Sequence, residues 1–159
     1  NYLNKLRKGD SFRGYAPYGD FTYKTPSSKN VCFIATGTGI APFRSMMLSA
    51  EYLASPPKSA TCLLGVREES ELLYESEIAG HGKWVACVSR PTGEWKGFRG
   101  RVTDYLRSLG EDFPWKETEY YLCGAGSMID EVRSILTERG VEKEFIHREI
   151  YFKQPKPTG

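Results

Sequence analysis

The sequence is poor in the side chains that build metal centres. It contains only 2 histidines and 4 cysteines among 159 residues. They lie far apart along the chain, at Cys32, Cys62, His81, Cys87, Cys123 and His147. Zinc knuckles and redox dithiols need two such residues close in sequence. We therefore expect no metal site, and we interpret the cysteines, each inside an apolar run, as buried and reduced thiols.

The sequence also lacks a charge excess and a long apolar run. Its 22 basic and 20 acidic residues give a formal net charge of +2, without the basic block that follows a nucleic-acid backbone. No apolar run approaches the length needed to cross a bilayer, and no charged and apolar leader opens the chain. These absences predict a soluble, cytoplasmic protein with no nucleic-acid partner and no membrane span.

What the sequence does contain is an alternation of strand-like and helix-like segments. Short apolar runs predict strands at 31–35, 61–66, 84–88, 120–123 and 144–147. Helical spacing of apolar residues predicts helices at 42–53, 69–79, 102–109 and 127–139. The length suits one compact domain. We predict an α/β fold with a doubly wound, five-stranded parallel sheet in the order 3-2-1-4-5 and helices on both faces.

The two ends of the chain do not share this alternation. Residues 1–28 are turn-rich and aromatic without helical spacing, which is typical of the end of a β domain. Residues 153–159 contain two prolines and few groups that pack, so we expect a flexible tail there. The α/β domain itself is predicted to span residues 29–152.

A glycine-containing loop, A-T-G-T-G-I-A-P at 35–42, follows the first predicted strand and opens the first predicted helix. Gly37 and Gly39 allow a tight turn and the close approach of an anion, and a helix N-terminus offers unpaired N–H groups. The pattern matches neither the G-x-G-x-x-G fingerprint nor a P-loop. A phosphate site and a merely tight connection both remain open, although the carboxyl end of a central strand favours a ligand.

Five motifs occur in one order along nearly the whole chain. They are P-Y-G-D-F at 17–21, G-T-G-I-A-P-F-R-S at 37–45, G-V-R at 65–67 with L-L-Y at 72–74, S-R-P at 89–91 with G-R-V-T-D at 100–104, and C-G at 123–124 with M-I at 128–129. With the aromatic finish at 150–152, this set resembles the ferredoxin–NADP reductase superfamily, which includes flavodoxin reductases, cytochrome b5 reductase and the reductase components of bacterial oxygenases. The resemblance implies that residues 29–152 bind NAD(P) and that residues 1–28 are the C-terminal end of a flavin-binding β-barrel.

The same resemblance implies a set of cofactor-binding residues. The glycine loop would line the pyrophosphate and nicotinamide site, with the close approach made at Gly37. The arginines would lie on the adenosine side, where planar guanidinium donors suit ribose and phosphate groups, and Arg90 is expected nearest to it. The full implied set is Thr36, Gly37, Thr38, Gly39, Ile40, Ala41, Pro42, Arg67, Ser89, Arg90, Arg101, Gly124 and Met128.

Cys123 is the implied catalytic residue, packed against the nicotinamide C4 from which the hydride leaves. A small, polarisable side chain at a strand end can contact the ring without blocking the flavin. A nucleophilic thiol is disfavoured, because no histidine lies near Cys123 in sequence.

The implied activity is hydride transfer from NAD(P)H to a flavin. FAD or FMN would be held by a flavin domain elsewhere in a longer parent chain, because the family's flavin-gripping motifs are missing here. The isolated chain would then bind NAD(P) but be inactive. Electrons would pass to an acceptor such as ferredoxin, flavodoxin, a haem protein or an iron–sulphur protein.

Two other functions fit the sequence less well. They are a non-catalytic NAD(P)-binding or interaction domain and a flavodoxin-like domain that binds FMN itself. The choices between NADH and NADPH and between FAD and FMN, and the oligomeric state, are left open by the residues.

Overall fold

A single parallel sheet forms the centre of the protein. The computed structural model describes residues 3–15, 19–24 and 28–152, and for residues 3, 151 and 152 it describes the backbone alone. Six strands lie in the order β4-β3-β2-β1-β5-β6, and every pairing is parallel. They are β1 (Asn30–Thr36), β2 (Ala60–Val66), β3 (Lys83–Val88), β4 (Phe98–Arg99), β5 (Thr118–Ala125) and β6 (Ile146–Phe152). All strands therefore end at the same edge of the sheet.

The predicted fold is confirmed, with one strand more than expected. The five predicted strands lie in the predicted order, and β4 extends the sheet beyond β3 by pairing with Cys87 and Val88. A strand of two residues has no alternation that a sequence pattern can show. The last predicted strand, at 144–147, was placed too early, because residues Lys143–Phe145 form a 3-10 turn and β6 begins at Ile146.

Helices cover both faces of the sheet, as predicted. One face carries α1 (Ile40–Met47), α2 (Ala50–Ala54) and α3 (Glu75–Ile78), and the other carries α4 (Val102–Ser108) and α5 (Gly126–Glu138). The prediction placed α4 and α5 to within one residue at each end.

The other two predicted helices are interrupted. The prediction at 42–53 divides into α1 and α2, because Ser49 is extended and its side chain accepts the N–H of Tyr52 at 3.2 Å, which starts a new helix. The prediction at 69–79 gives 3-10 turns at Glu69–Glu71 and Ala79–His81 on either side of α3. Between them Leu72 is extended and Tyr74 has a φ of +62°, and neither conformation continues a helix.

The core consists of two layers, one on each face of the sheet. Successive strand residues alternate between them: Phe33 and Tyr121 pack towards α1–α3, whereas Ile34 and Leu122 pack towards α4 and α5. All four are fully buried, as expected for a parallel sheet covered on both faces. No helix within the described ranges is long and apolar enough to cross a membrane.

The ends of the chain are only partly described. Residues 3–15 contain a 3-10 turn at Leu3–Lys5 and exposed aromatic side chains at Phe12 and Tyr15. Residues 19–24 pack on the α1–α3 side of the sheet through Phe21 and Tyr23. The first two residues of the P-Y-G-D-F motif and the predicted flexible tail at 153–159 lie outside the described residues. The domain boundaries stay predictions.

Candidate functional site

A cleft of about 970 Å³ opens where the central strands end. Its walls come from the segments after β1, β2 and β3 and from the start of α4 and α5. It contains eight of the residues that the sequence predicts to bind a cofactor: Thr36, Gly37, Thr38, Arg67, Ser89, Arg90, Arg101 and Met128. Segments that are far apart in sequence thus meet at the edge of the sheet where open α/β folds bind ligands.

The loop after β1 presents its backbone to the cleft. Residues Gly37–Gly39 form a 3-10 turn that runs into α1. Gly37 has a φ of +53°, and a Cβ added there would meet no atom within 4 Å. The absence of a side chain leaves this stretch of backbone open to close approach from the cleft.

At Gly39, in contrast to Gly37, the space that a Cβ would occupy is already filled. It is buried, and a Cβ there would overlap the carbonyl oxygen of Cys123 and lie 2.9 Å from the backbone nitrogen of Gly124. The second glycine of the loop therefore packs the start of α1 against the end of β5. Its immediate neighbour is the protein backbone.

The junction between the end of β5 and the start of α5, which we call the β5 loop, is joined to the first loop. Gly124 has a φ of +141°, and a Cβ there would overlap the Thr36 hydroxyl and lie 3.0 Å from the Thr36 backbone nitrogen. The N–H of Ala125 donates to Oγ1 of Thr36 at 3.1 Å. Thr36 thus connects the two loops.

Gly65 makes room for α4 above β2. A Cβ on Gly65 would lie 2.9 Å from Cγ1 of Val102 and 3.3 Å from Cγ2 of Thr36. Because position 65 has no side chain, the first turn of α4 lies close to the sheet at the edge of the cleft.

Cys123 lies at the end of β5 and is fully buried on the α1–α3 side. Burial raises the pKa of its thiol to about 12, and the negative charge of Glu149 contributes to the rise. The side chain is therefore a neutral thiol at neutral pH, which makes it a poor nucleophile. It is a packing group beside the two loops and does not line the cleft as described.

Basic groups in the cleft have no acidic partners, whereas the acidic groups do have partners. Arg67, Arg90 and Arg101 are exposed at the cleft, and within the described residues none lies within salt-bridge distance of a carboxylate. The acidic lining residues are Glu71, Asp104 and Glu131. The cleft therefore offers free positive charge to an anionic ligand.

Each acidic lining residue is engaged by a neighbour. Glu71 accepts the N–H groups of Arg67 and Glu68 at 2.8 and 3.1 Å, and these hydrogen bonds lower the pKa of its carboxyl group. Asp104 accepts the N–H of Arg101 at 2.8 Å, and Glu131 pairs with Arg107 at 2.8 Å. Arg107 offsets the charge of Glu131 and, at 3.9 Å, that of Asp104, whereas the backbone hydrogen bonds of Glu71 hold its carboxylate in place without neutralising it.

The other predicted cofactor residues lie away from the cleft. Ile40 is fully buried in the core, and Ala41 is exposed on α1. Pro42 lines a separate groove of about 480 Å³ between α1 and the segment that contains Phe21 and Tyr23. Gly39 and Gly124 support the cleft loops from beneath, as described above.

Comparison with known protein families identifies the family of this chain. A family model described as the oxidoreductase NAD-binding domain matches residues 33–134, which is more than half of the chain. The chain belongs to this family. It is the NAD-binding domain of a member of the ferredoxin–NADP reductase superfamily, so the resemblance carried by the five motifs is confirmed.

Relatives of this NAD-binding domain are components of electron-transfer proteins. Ferredoxin–NADP reductase B of Sorangium cellulosum is 30% identical, over 94% of this chain and 66% of the relative. The xylene/toluene monooxygenase electron transfer component XylA of Pseudomonas putida is 29% identical, over 94% of this chain and 44% of the relative. The chain thus spans about half to two thirds of the length of these two relatives.

A solved structure shares the fold. The flavohaem-like FAD/NAD-binding domain of nitric oxide dioxygenase from Vibrio cholerae superimposes with a TM-score of 0.71 at 26% identity, covering 86% of this chain and 56% of that one. The α/β architecture predicted from the alternation of segments is therefore that of known NAD-binding domains.

The predicted site residues included neither Thr103, which lines the cleft of this NAD-binding domain, nor Glu149, which neighbours Cys123. Thr103 lines the cleft, is 1% exposed, and its hydroxyl has no hydrogen-bond partner within the described part of the chain. Glu149 lies opposite Cys123 in the register of β5 and β6. The register that sets residue 149 opposite residue 123 and the burial of Thr103 both depend on tertiary contacts, which spacing along the sequence does not indicate. Among the described residues no cluster of three His, Cys, Asp or Glu side chains suits a metal ion.

Proposed function

We propose that this chain binds NAD(P)H in the cleft and presents the nicotinamide to a flavin held by another part of a longer protein. The observation that carries the proposal is the cleft itself, in which an open glycine backbone and three unpaired arginines line one space. Its volume of about 970 Å³ lies within the range of small-molecule and cofactor sites. When bound, NAD(P)H supplies the hydride and the flavin accepts it.

The protein's own residues would orient the dinucleotide. The backbone of Gly37 and Thr38, in the 3-10 turn before α1, would face the pyrophosphate, because negative oxygens suit backbone N–H groups. Arg67, Arg90 and Arg101 face the adenosine phosphates and ribose. The buried hydroxyl of Thr103 gains a hydrogen-bond partner from a polar ligand in the cleft, which removes the cost of leaving it unpaired.

Cys123 and Glu149 would border the nicotinamide end. Cys123 is packed beneath the point where the loop after β1 and the β5 loop meet, and Glu149 is its partner across the strand pair. The thiol is buried and neutral, so it adds no charge beneath the ring from which the hydride leaves.

The flavin and the final acceptor belong to the same proposal. Residues 1–28 are proposed to be the end of a flavin-binding barrel, and the exposed Phe12 and Tyr15 are aromatic surface that such a barrel would cover. Relatives named as a ferredoxin–NADP reductase and an oxygenase electron-transfer component support an acceptor such as ferredoxin, flavodoxin, or a haem or iron–sulphur protein. A cytoplasmic setting is also proposed, in keeping with the free cysteines Cys32, Cys62, Cys87 and Cys123.

Titration calorimetry of this chain with NADP⁺ and with NAD⁺ tests the binding step. We expect Arg90→Ala to weaken the preferred nucleotide about tenfold, because a charge-assisted hydrogen bond is lost. Arg133→Ala is the matched control, since Arg133 lies on α5 outside the cleft lining and should leave affinity unchanged. A loss confined to NADP⁺ would place the 2′-phosphate at Arg90. Failure of both nucleotides to bind at millimolar concentration would contradict the proposal.

The hydride step needs the flavin-bearing protein that contains this chain. Stopped-flow mixing with NADPH or NADH should bleach the flavin absorbance. Nucleotide binding without bleaching would favour a non-catalytic NAD(P)-binding domain instead.

A further inference from the structure

Residues 19–24 lie across the sheet face that carries Cys123, although they form neither helix nor strand. Gly19 lies beside Glu149, because a Cβ on Gly19 would be 3.9 Å from Oε1 of that carboxylate. Tyr23 is 9% exposed, and its ring centre lies 5.0 Å from that of Tyr52 on α2. The segment therefore runs from Glu149, the neighbour of Cys123, towards α2. Its first residue, Gly19, follows the upstream part of the chain.

A single buried side chain, Tyr121, contacts this segment at three residues. Its ring centre lies 6.2 Å from those of both Phe21 and Tyr23. Its hydroxyl accepts the backbone N–H of Lys24 at 3.0 Å. Tyr121 and Cys123 point to the same face of β5, so the strand that carries Cys123 also holds the segment.

Two more side chains stand behind Tyr121. The register of β5 and β6 places His147 opposite it, with ring centres 4.6 Å apart and planes inclined by 33°. Nε2 of His147 lies 2.6 Å from Oε1 of Glu119, a residue only 9% exposed. Glu119 also lies close enough to the Tyr121 phenol to raise its pKa, so these side chains form a contiguous group from β6 to the backbone of Lys24.

The Tyr121 hydroxyl keeps its proton at neutral pH. Burial raises the pKa of the phenol, and the charge of Glu119 raises it further. The hydroxyl can therefore donate to Glu119 while it accepts from Lys24, and a phenylalanine at this position could do neither.

We propose that Tyr121, backed by His147 and Glu119, is a positioning residue for hydride transfer, because it fixes residues 19–24 and the flavin-bearing part upstream of them relative to Cys123. This inference rests on the proposed function. Tyr121, His147 and Glu119 do not line the nucleotide cleft as described, so they act on the placement of the two reactants and leave nucleotide affinity alone. Misplacement on the order of 1 Å is enough to cost about 100-fold in rate.

The decisive comparison is Tyr121→Phe against Tyr120→Phe in the flavin-bearing protein. Tyr120 is the matched control: it is equally buried, and its hydroxyl donates to the Trp115 carbonyl at 3.1 Å, but it faces α4 and α5. We expect Tyr121→Phe to lower the limiting rate of flavin reduction about tenfold, with nucleotide dissociation constants within about twofold of wild type. Tyr120→Phe should leave both within about twofold. Equal slowing by the two variants, or an effect on affinity alone, would overturn the role.

Hydrogen exchange at the Lys24 amide in this chain gives an independent readout. Tyr121→Phe should speed exchange about three- to tenfold, because one hydrogen bond is lost, whereas Tyr120→Phe should not. Glu119→Gln should act in the same direction and less strongly. An unchanged exchange rate at the Lys24 amide in Tyr121→Phe would overturn the proposal that Tyr121 holds residues 19–24 in place.

The two hypotheses fail in different ways. A wild-type protein that does not reduce its flavin with NAD(P)H would overturn the proposed function, and the positioning role with it. Normal wild-type reduction, with faster Lys24 exchange and an unchanged rate in Tyr121→Phe, would overturn the positioning role alone.

Discussion

The loop after β1 and the β5 loop at the junction of β5 and α5 lie side by side, and both depend on glycine, but for different reasons. At Gly37 the space that a Cβ would occupy is empty and faces the cleft, whereas at Gly124 it is filled by Thr36. One glycine leaves the backbone accessible, and the other lets two strand ends approach each other. The contrast shows that one part of the site is adapted to a ligand and the other to the packing that supports it.

The largest expected effect comes from filling the closed loop. Gly124→Ala should lower the free energy of unfolding by about 3–5 kcal/mol, because the methyl group meets the backbone and hydroxyl of Thr36 at a φ of +141°. Urea denaturation measures the loss. Gly80→Ala is the control, since a Cβ there meets nothing within 4 Å, and its stability should stay within about 0.5 kcal/mol of wild type. Equal stability of the two variants would abolish the distinction between the loops.

Removing the thiol tests whether the β5 loop also serves the reaction. In the flavin-bearing protein, Cys123→Ala should slow flavin reduction about tenfold while nucleotide affinity stays within a few-fold. Cys62→Ala removes an equally buried thiol from the same core layer and is the control. Stopped-flow rates equal to wild type would remove Cys123 from the hydride site and leave this loop a packing element only.

Filling the open loop should change binding more than stability. Gly37→Ala places a methyl group where the cleft is empty, so nucleotide affinity should fall about fivefold by calorimetry. The left-handed backbone should add a stability loss of about 1 kcal/mol. A stability loss as large as that of Gly124→Ala, with unchanged affinity, would reverse the assignment of the two loops.

The smallest effect concerns the loop after β2, which is held by a carboxylate instead of a glycine contact. Hydrogen bonds from the N–H groups of Glu68 and Arg67 lower the pKa of Glu71 in the folded state. Its stabilising contribution is therefore present above the unfolded pKa and is lost as the pH falls through the folded one. The melting temperature of Glu71→Gln should accordingly depend less on pH between neutral and about pH 3 than that of wild type. Glu138→Gln, an exposed residue on α5, should keep the wild-type dependence.

Most of the fold follows from local patterns, and the failures have a common cause. The strands β1, β2 and β5 were predictable because each contains an apolar run that is buried on both faces. The missed strand, Phe98–Arg99, exists only through its pairing with β3. The breaks at Ser49 and Leu72 come from a side-chain cap and from packing against the core. Such contacts are tertiary, and spacing along the chain does not record them.

In the site, too, the features that follow from local patterns were predictable and those that depend on tertiary contacts were not. The glycine loop and the three arginines follow strand ends or precede a helix, so their convergence at the cleft is a consequence of the parallel sheet. The spacing of the glycines does not distinguish Gly37 from Gly39, and only the family resemblance assigned the close approach to Gly37. The physical difference lies in what stands opposite each Cβ position. Thr103 was missed for the same reason, since its significance is an unpaired hydroxyl in a buried place.

Gly65 lines the cleft and also sets how close the first turn of α4 lies to the sheet. The first turn of α4 rests on the sheet through Val102 at the position where β2 has no side chain. An added methyl group at position 65 would push α4, with Thr103 and the adjacent Arg101, away from the end of β1. One substitution in the sheet would therefore widen the cleft and move two of its lining residues together.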